Sequence, residues 1–155
     1  VAELEDSPLP GNFDIQHLRR IHHYIFQDVF PWAGDFREVM TARTGSFGFP
    51  PPQFLIPSLE NLFISLKVEK HLAGLTLDDF ALHAGRYLGE LNAIHPFREG
   101  NGRTQREFLR TLASSAGHVL SWKDLTADEN NEASRISFAT GDNSGLVAIL
   151  RKCLQ

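Results

Sequence analysis

The chain of 155 residues has one cysteine, Cys153, so it can form neither an intramolecular disulfide nor a cysteine-built zinc site. With 15 basic side chains against 19 acidic ones and a formal net charge of -4, it lacks the cationic excess of a general nucleic-acid or anionic-membrane surface. No apolar run approaches membrane-spanning length, and the N-terminal residues show no signal-peptide pattern. A GxxxxGK(S/T) run is also missing, which excludes a Walker-type phosphate loop. The expectation from these absences is a soluble domain in a reducing, cytoplasmic setting.

Hydrophobic residues make up 42% and charged residues 22%, enough to build the core of one domain. Residues 1–11 read as an acidic, proline-containing lead-in segment and residues 12–155 as the domain. Asn12 or Asp14 is placed to cap a helix with Ile15, Leu18, Ile21, Ile25 and Val29 on its apolar face, ending before Pro31 and Gly34. His17, His22 and His23 lie on that helix without a carboxylate at metal-ligand spacing, and the expectation is a solvated face rather than a metal site. Phe36 to Met40 and Ser46 to Phe49 read as two short strands around Thr44-Gly45, closed off by Pro50-Pro51-Pro52.

Leu59, Leu62, Phe63 and Leu66 predict a helix that stops near Gly74. Thr76 with Asp79 resembles a capping box, and Phe80, Ala84, Tyr87, Leu91 and Ile94 mark a central buried helix on which Gly85 and Gly89 admit a close neighbour. His83 is expected to be a core or boundary residue, with nothing acidic or thiol around it. Gly117 closes a helix ending near Ala116, Thr126 and Glu129 cap one that Gly141 closes, and Asn143 or Ser144 starts the last, with Leu146, Ile149, Leu150 and Cys153 inside. The fold class expected is mainly α, with one short β-hairpin.

The chemistry is concentrated in His95-Pro96-Phe97-Arg98-Glu99-Gly100-Asn101-Gly102-Arg103-Thr104-Gln105-Arg106. Pro96 disfavours helical geometry at the residue before it, which should leave His95 at a loop mouth. Gly100 and Gly102 permit positive φ, so successive N–H groups can turn inward as an anion-binding nest. Phe108, Leu109 and Leu112 recur at helical spacing, which puts that nest on a helix N-terminus. Arg103 and Arg106 share a face of its first turn, where two guanidiniums work against the macrodipole unless an anion answers them. His95 and Glu99 have the HxxxE spacing of two metal ligands, but Pro96 and Gly100 interrupt the continuous helix a zinc hydrolase would use.

These twelve positions match HPFx(D/E)GN(G/K)RxxR without departure, and on them the chain resembles the Fic proteins from about Asn12 to its C-terminus. The resemblance implies a Fic-type helical bundle with a hairpin flap beside the active loop. It also implies transfer of AMP from ATP, with Mg²⁺, to a Ser, Thr or Tyr hydroxyl of a target protein. His95 would be the general base and Glu99 the metal ligand. Gly100, Asn101 and Gly102 would form the anion hole, Arg103 and Arg106 would grip the outer phosphates, and Phe97 would anchor the loop. The flap tip, Arg43, Thr44, Gly45, Ser46 and Phe47, would dock the target by β-augmentation.

Other arrangements in the family bear on the assignment. Altered loops transfer the γ-phosphate or use other donors, and a non-catalytic nucleotide-binding module is a further alternative. Gly102-Arg103 favours AMP transfer, and the complete set of motif side chains argues against a binding-only role. Many Fic proteins carry an inhibitory (S/T)xxxE(G/N) helix. Ser65 to Glu69 fits its first part but is followed by Lys70, and Thr126 to Glu129 is one residue too short. The inhibitory glutamate is therefore expected from a small antitoxin-like partner or a flanking segment. A bacterial toxin or effector is implied, acting in the bacterial or the host cytoplasm.

Overall fold

The computed structural model describes residues 2–41 and 48–155. Its helices are α1 (Ala2–Asp6), α2 (Ile15–Phe26), α3 (Leu55–Val68), α4 (Leu77–Ile94), α5 (Asn101–Ser115), α6 (Ala127–Thr140) and α7 (Ser144–Cys153). Their starts follow local chemistry. Asp14 accepts from His17 N at 2.9 Å, Thr76 from Asp79 N at 3.2 Å, and Thr126 and Glu129 cap each other's backbone reciprocally. α2 stops at Phe26, a turn before the pattern ending at Val29, and Val29 stands exposed.

α4 lies at the centre, packed by α3, α5, α6 and α7, while α2 covers α5 and α3. The glycines of α4 explain how closely α7 approaches. A Cβ on Gly85 would come 2.5 Å from Val147 Cγ2, and one on Gly89 would come 2.3 Å from Asn143 Oδ1. Phe80, Ala84, Tyr87, Leu91, Phe108, Leu109, Leu112, Leu146 and Leu150 form the middle of the core. Cys153 is buried with them, and burial raises its thiol pKa. Between α3 and α4, Lys70, His71 and Leu72 all take positive φ. Such backbone is costly for non-glycine residues, and the burial of Leu72 offsets part of that cost.

Within the lead-in segment, α1 buries Leu4, whose carbonyl accepts from Arg110 Nη2. At the other end an isolated antiparallel bridge joins Leu120 to Leu154. Among the described residues no helix is long and apolar enough to cross a membrane.

Three expectations require correction. No strand forms among the described residues, so the hairpin is not seen; its tip, residues 42–47, lies outside them. The run expected to be the first strand packs through its arginine. Arg37 is buried while Val39 and Met40 are exposed, because the Arg37 guanidinium bonds the end of α4 and its backbone N–H goes to Pro96 O rather than to a strand partner. The α2 face is also not solvated at His17 and His22, which are both fully buried. Phe13 N donates to His17 Nδ1 at 3.1 Å, and His17 Nε2 meets Leu9 O at 2.9 Å. Finally, His83 does have an acidic neighbour, with Nδ1 3.3 Å from Glu69 Oε2.

Candidate active site

α4 ends on His95, whose φ of 50° places it in the left-handed region. Turning the chain there, ahead of a proline that cannot continue the helix, aims the next residues back toward α2. Phe97 is buried against His22, ring centroids 3.9 Å apart and nearly parallel, with Phe36 at 5.4 Å on another side. Asn101 closes the loop. Its Oδ1 accepts from Phe97 N at 2.9 Å, its Nδ2 donates to Phe97 O at 2.7 Å, and the same Nδ2 lies 3.2 Å from His95 Nε2.

α5 begins at Gly100, with φ 83° and no capping side chain, so its first N–H groups are left for a ligand. A Cβ on Gly100 would come 2.3 Å from the Phe26 ring, and one on Gly102 would come 3.2 Å from Arg106 Nη1. Glycine is therefore required at 100 by both backbone and space. At 102 it lets the Arg106 guanidinium lie against the start of α5. Burial and then the neighbouring charge of Arg103 lower the Arg106 pKa, the situation in which an anion would bind most favourably.

A cavity of about 380 Å³ brings His95, Asn101, Gly102 and Arg106 together with Asn92 of α4 and Asn130, Asn131 and Ser134 of α6. Glu99, Gly100 and Arg103 are not among its lining residues; Glu99 and Arg103 are exposed beside it. Arg98, the remaining arginine of the stretch, has its guanidinium 5.4 Å from the Trp32 ring centre. The expected flap residues Arg43, Thr44, Gly45, Ser46 and Phe47 lie outside the described residues. Glu69, the acid of the incomplete inhibitory pattern, is paired with Arg86 and His83.

Sequence reasoning missed several residues that build this site. His22 accepts from Gly34 N at 2.8 Å through Nδ1, and its Nε2 donates to Glu99 O at 2.9 Å, so two backbone partners hold it neutral. Burial lowers its pKa accordingly. Phe49 stacks on His95 with centroids 3.8 Å apart and planes 4° from parallel. Gln105 lines the cavity, and its buried Nε2 has no partner among the described residues. Arg37 Nε donates to the His95 carbonyl at 2.6 Å. Only Gln105 had a sequence signal, its place within the signature; the others depend on partners distant in the chain.

Among the described residues no group of three or more His, Cys, Asp or Glu side chains is arranged to hold a metal ion. A lone exposed carboxylate, Glu99, does fit Mg²⁺, which usually takes one or two carboxylates together with substrate phosphates and water.

Residues 12–113 match the Fic/DOC family. The chain is 38% identical over 154 residues to the protein adenylyltransferase VbhT of Bartonella schoenbuchensis, covering 98% of this chain but 31% of that protein. It is 39% identical over 145 residues to a probable protein adenylyltransferase, y4lH, of Sinorhizobium fredii, covering 93% of this chain and 74% of the other. Among solved structures, BepC of Bartonella tribocorum, a VirB-translocated effector with bound AMPPNP, superposes with a TM-score of 0.94 at 26% identity. That match covers 99% of this chain and 80% of BepC. An N-terminal Fic domain of a VirB-translocated Bep effector from Bartonella quintana, with bound ADP, superposes with the same TM-score at 27% identity, over 99% of this chain and 78% of that one. With the signature, the helical architecture and these matches in agreement, the chain belongs to the Fic/DOC family.

Proposed function

We propose that this chain transfers AMP from ATP to a hydroxyl side chain of a target protein, releasing pyrophosphate. The observation that carries the reading is the cavity in which His95 faces the uncapped start of α5 beside Arg106. Support also comes from relatives named protein adenylyltransferase and from structural neighbours with bound AMPPNP and ADP.

His95 is assigned as the general base. As the hydroxyl oxygen bonds to the α-phosphorus, its proton passes to the imidazole, and the bond from that phosphorus to the β-phosphate oxygen breaks. The N–H groups from Asn101 onward meet the negative charge on the α-phosphate, while Arg103 and Arg106 hold the outer phosphates. Glu99 would hold Mg²⁺, which supplies charge neutralisation on the phosphates. Phe97 fixes the loop from inside the core. Residues 43–47 are assigned to target docking, with the exposed Val39 and Met40 just before them as adjoining contact surface. The inhibitory glutamate is assigned to a separate antitoxin-like chain or flank, since Glu69 is already paired.

The test compares α-labelled with γ-labelled ATP, with Mg²⁺ and a protein lysate, using wild type and His95→Ala. Transfer of the α label alone, lost in the variant, is the expected result. Transfer of the γ label alone would replace this reading with phosphoryl transfer. Binding of ATP with no label transferred, in a preparation freed of inhibitory partners, would reduce the domain to a nucleotide-binding module.

A further inference from the structure

Arg37 is the largest of the fully buried side chains. Among the described residues no carboxylate pairs with it, and burial lowers its pKa, yet a guanidinium keeps its proton. Its donors go instead to main-chain carbonyls. Nε donates to His95 O at 2.6 Å, Nη1 to Val39 O at 3.0 Å, and Nη2 to Pro50 O at 2.6 Å and Ile94 O at 3.3 Å. The Arg37 backbone N–H adds a bond to Pro96 O at 2.9 Å.

Ile94 and His95 carry the last carbonyls of α4, which have no acceptor role left within the helix and form the negative pole of its macrodipole. A buried cation is best tolerated at such a pole. Val39 and Pro50 lie elsewhere in the chain, on either side of residues 42–47. One planar fork therefore spans the left-handed peptide of His95 and the main chain at Val39 and Pro50. Beside Pro50, Phe49 lies flat on the His95 ring, so the segment at 49–50 reaches the imidazole as well as its carbonyl.

We propose that Arg37 is a positioning residue for the transfer reaction, setting the orientation of His95 and tying it to Val39 and Pro50, which flank the residues assigned to target docking. The proposal rests on His95 acting as the base. Lysine in its place would keep the charge but offer one point of donation in place of a rigid fork. A displacement of the base by about 1 Å is enough to slow a reaction by about 100-fold.

The test begins on the wild-type chain. By ¹⁵N NMR, the Arg37 Nε–H should exchange with solvent far more slowly than those of the exposed Arg135 and Arg151; equal exchange rates would overturn the proposal. In Arg37→Lys, kcat for transfer of the α label is expected to fall at least about 30-fold while KM for ATP stays within about 2-fold. The His95 ring protons, shifted by the stacked Phe49 ring, should move toward the positions of an unstacked imidazole. A folded variant with wild-type kcat and unmoved ring protons overturns the proposal. So does a variant whose kcat falls only in proportion to its folded fraction. If the variant does not fold, the wild-type exchange rate decides. His95→Ala, run alongside, separates the two assignments: continued transfer would remove His95 as base, whereas the exchange and ring-proton readouts need no transfer at all.

Discussion

Two sets of histidines use the backbone in opposite ways. On α2, His17 and His22 each have one ring nitrogen accepting from a main-chain N–H and the other donating to a main-chain carbonyl. Both rings are fully buried and serve as struts, one to the lead-in segment and the other to the signature loop. At the junction of α4 and α5 it is the carbonyl of His95 that is held, by Arg37, and its ring borders the cavity. A histidine whose two nitrogens both face backbone acts as a structural cross-link. One whose main chain is bound and whose ring meets a cavity is placed for chemistry.

The sharpest way to break this comparison is to remove a strut. His22→Leu fills the space but leaves Gly34 N and Glu99 O without a partner and loses both ring bonds. The expected loss is about 3 kcal/mol, mostly from the buried Gly34 N–H, for which an orphaned group costs about 1–3 kcal/mol. In a domain of this size that lowers the thermal midpoint by about 6–12 °C. His95→Ala should change the midpoint little and abolish transfer. Melting curves for both variants check the pair, and a His22→Leu protein as stable as wild type would show that the ring is no strut.

The same contrast explains how far the sequence could be read. The signature was legible because its groups are consecutive: Pro96, Gly100 with its positive φ and the helical run after it determine where the nest lies, whereas Gly102, expected to share that backbone, lies inside α5 without a positive φ. Caps such as Asp14 and Thr76 are also local, as are the glycines at 85 and 89 whose need for a close neighbour α7 meets. The burial of His22 depends on Gly34 and Glu99, that of Arg37 on the end of α4 and on Pro50, all distant along the chain. Neither leaves a local pattern. The expectation of a hairpin at 36–49 failed over the described residues for that reason, since the turn signal was local but the competing acceptors were not.

Asn101→Ala sharpens the reagent side of the comparison. The side chain satisfies both polar backbone groups of the buried Phe97 and reaches His95 Nε2, so its loss is expected to cost about 2 kcal/mol. Transfer should fall by at least about 100-fold through displacement of the nest and the base. Asn101→Asp keeps an acceptor for Phe97 N but removes the donor and adds negative charge where phosphate is assigned. It should weaken ATP binding more than the alanine does. Calorimetric titration with a non-hydrolysable ATP analogue ranks the two, and equal affinities would argue against phosphate next to residue 101.

The smallest effect comes from protonating the other strut. Burial is the main cause that lowers the His17 pKa from its ordinary 6.5; Arg20 acts in the same direction, while the Leu9 carbonyl, Asp14 and Glu107 oppose it. With Phe13 N–H already pointing at Nδ1, a second ring proton would set two donors against each other. Between the depressed folded pKa and 6.5 the unfolded chain binds more protons than the folded one, so stability rises with pH. The contribution is complete above about 6.5 and is lost as pH falls through the folded value, with a limiting slope of about 1.4 kcal/mol per pH unit. His17→Gln retains an acceptor and a donor without a titrating group. Urea denaturation at about pH 7.5, 6.5 and 5.5 should therefore give a shallower loss of stability for the variant than for wild type, with His22 supplying what remains. Parallel slopes would mean that His17 accepts its proton inside the fold and is not the neutral cross-link its partners require.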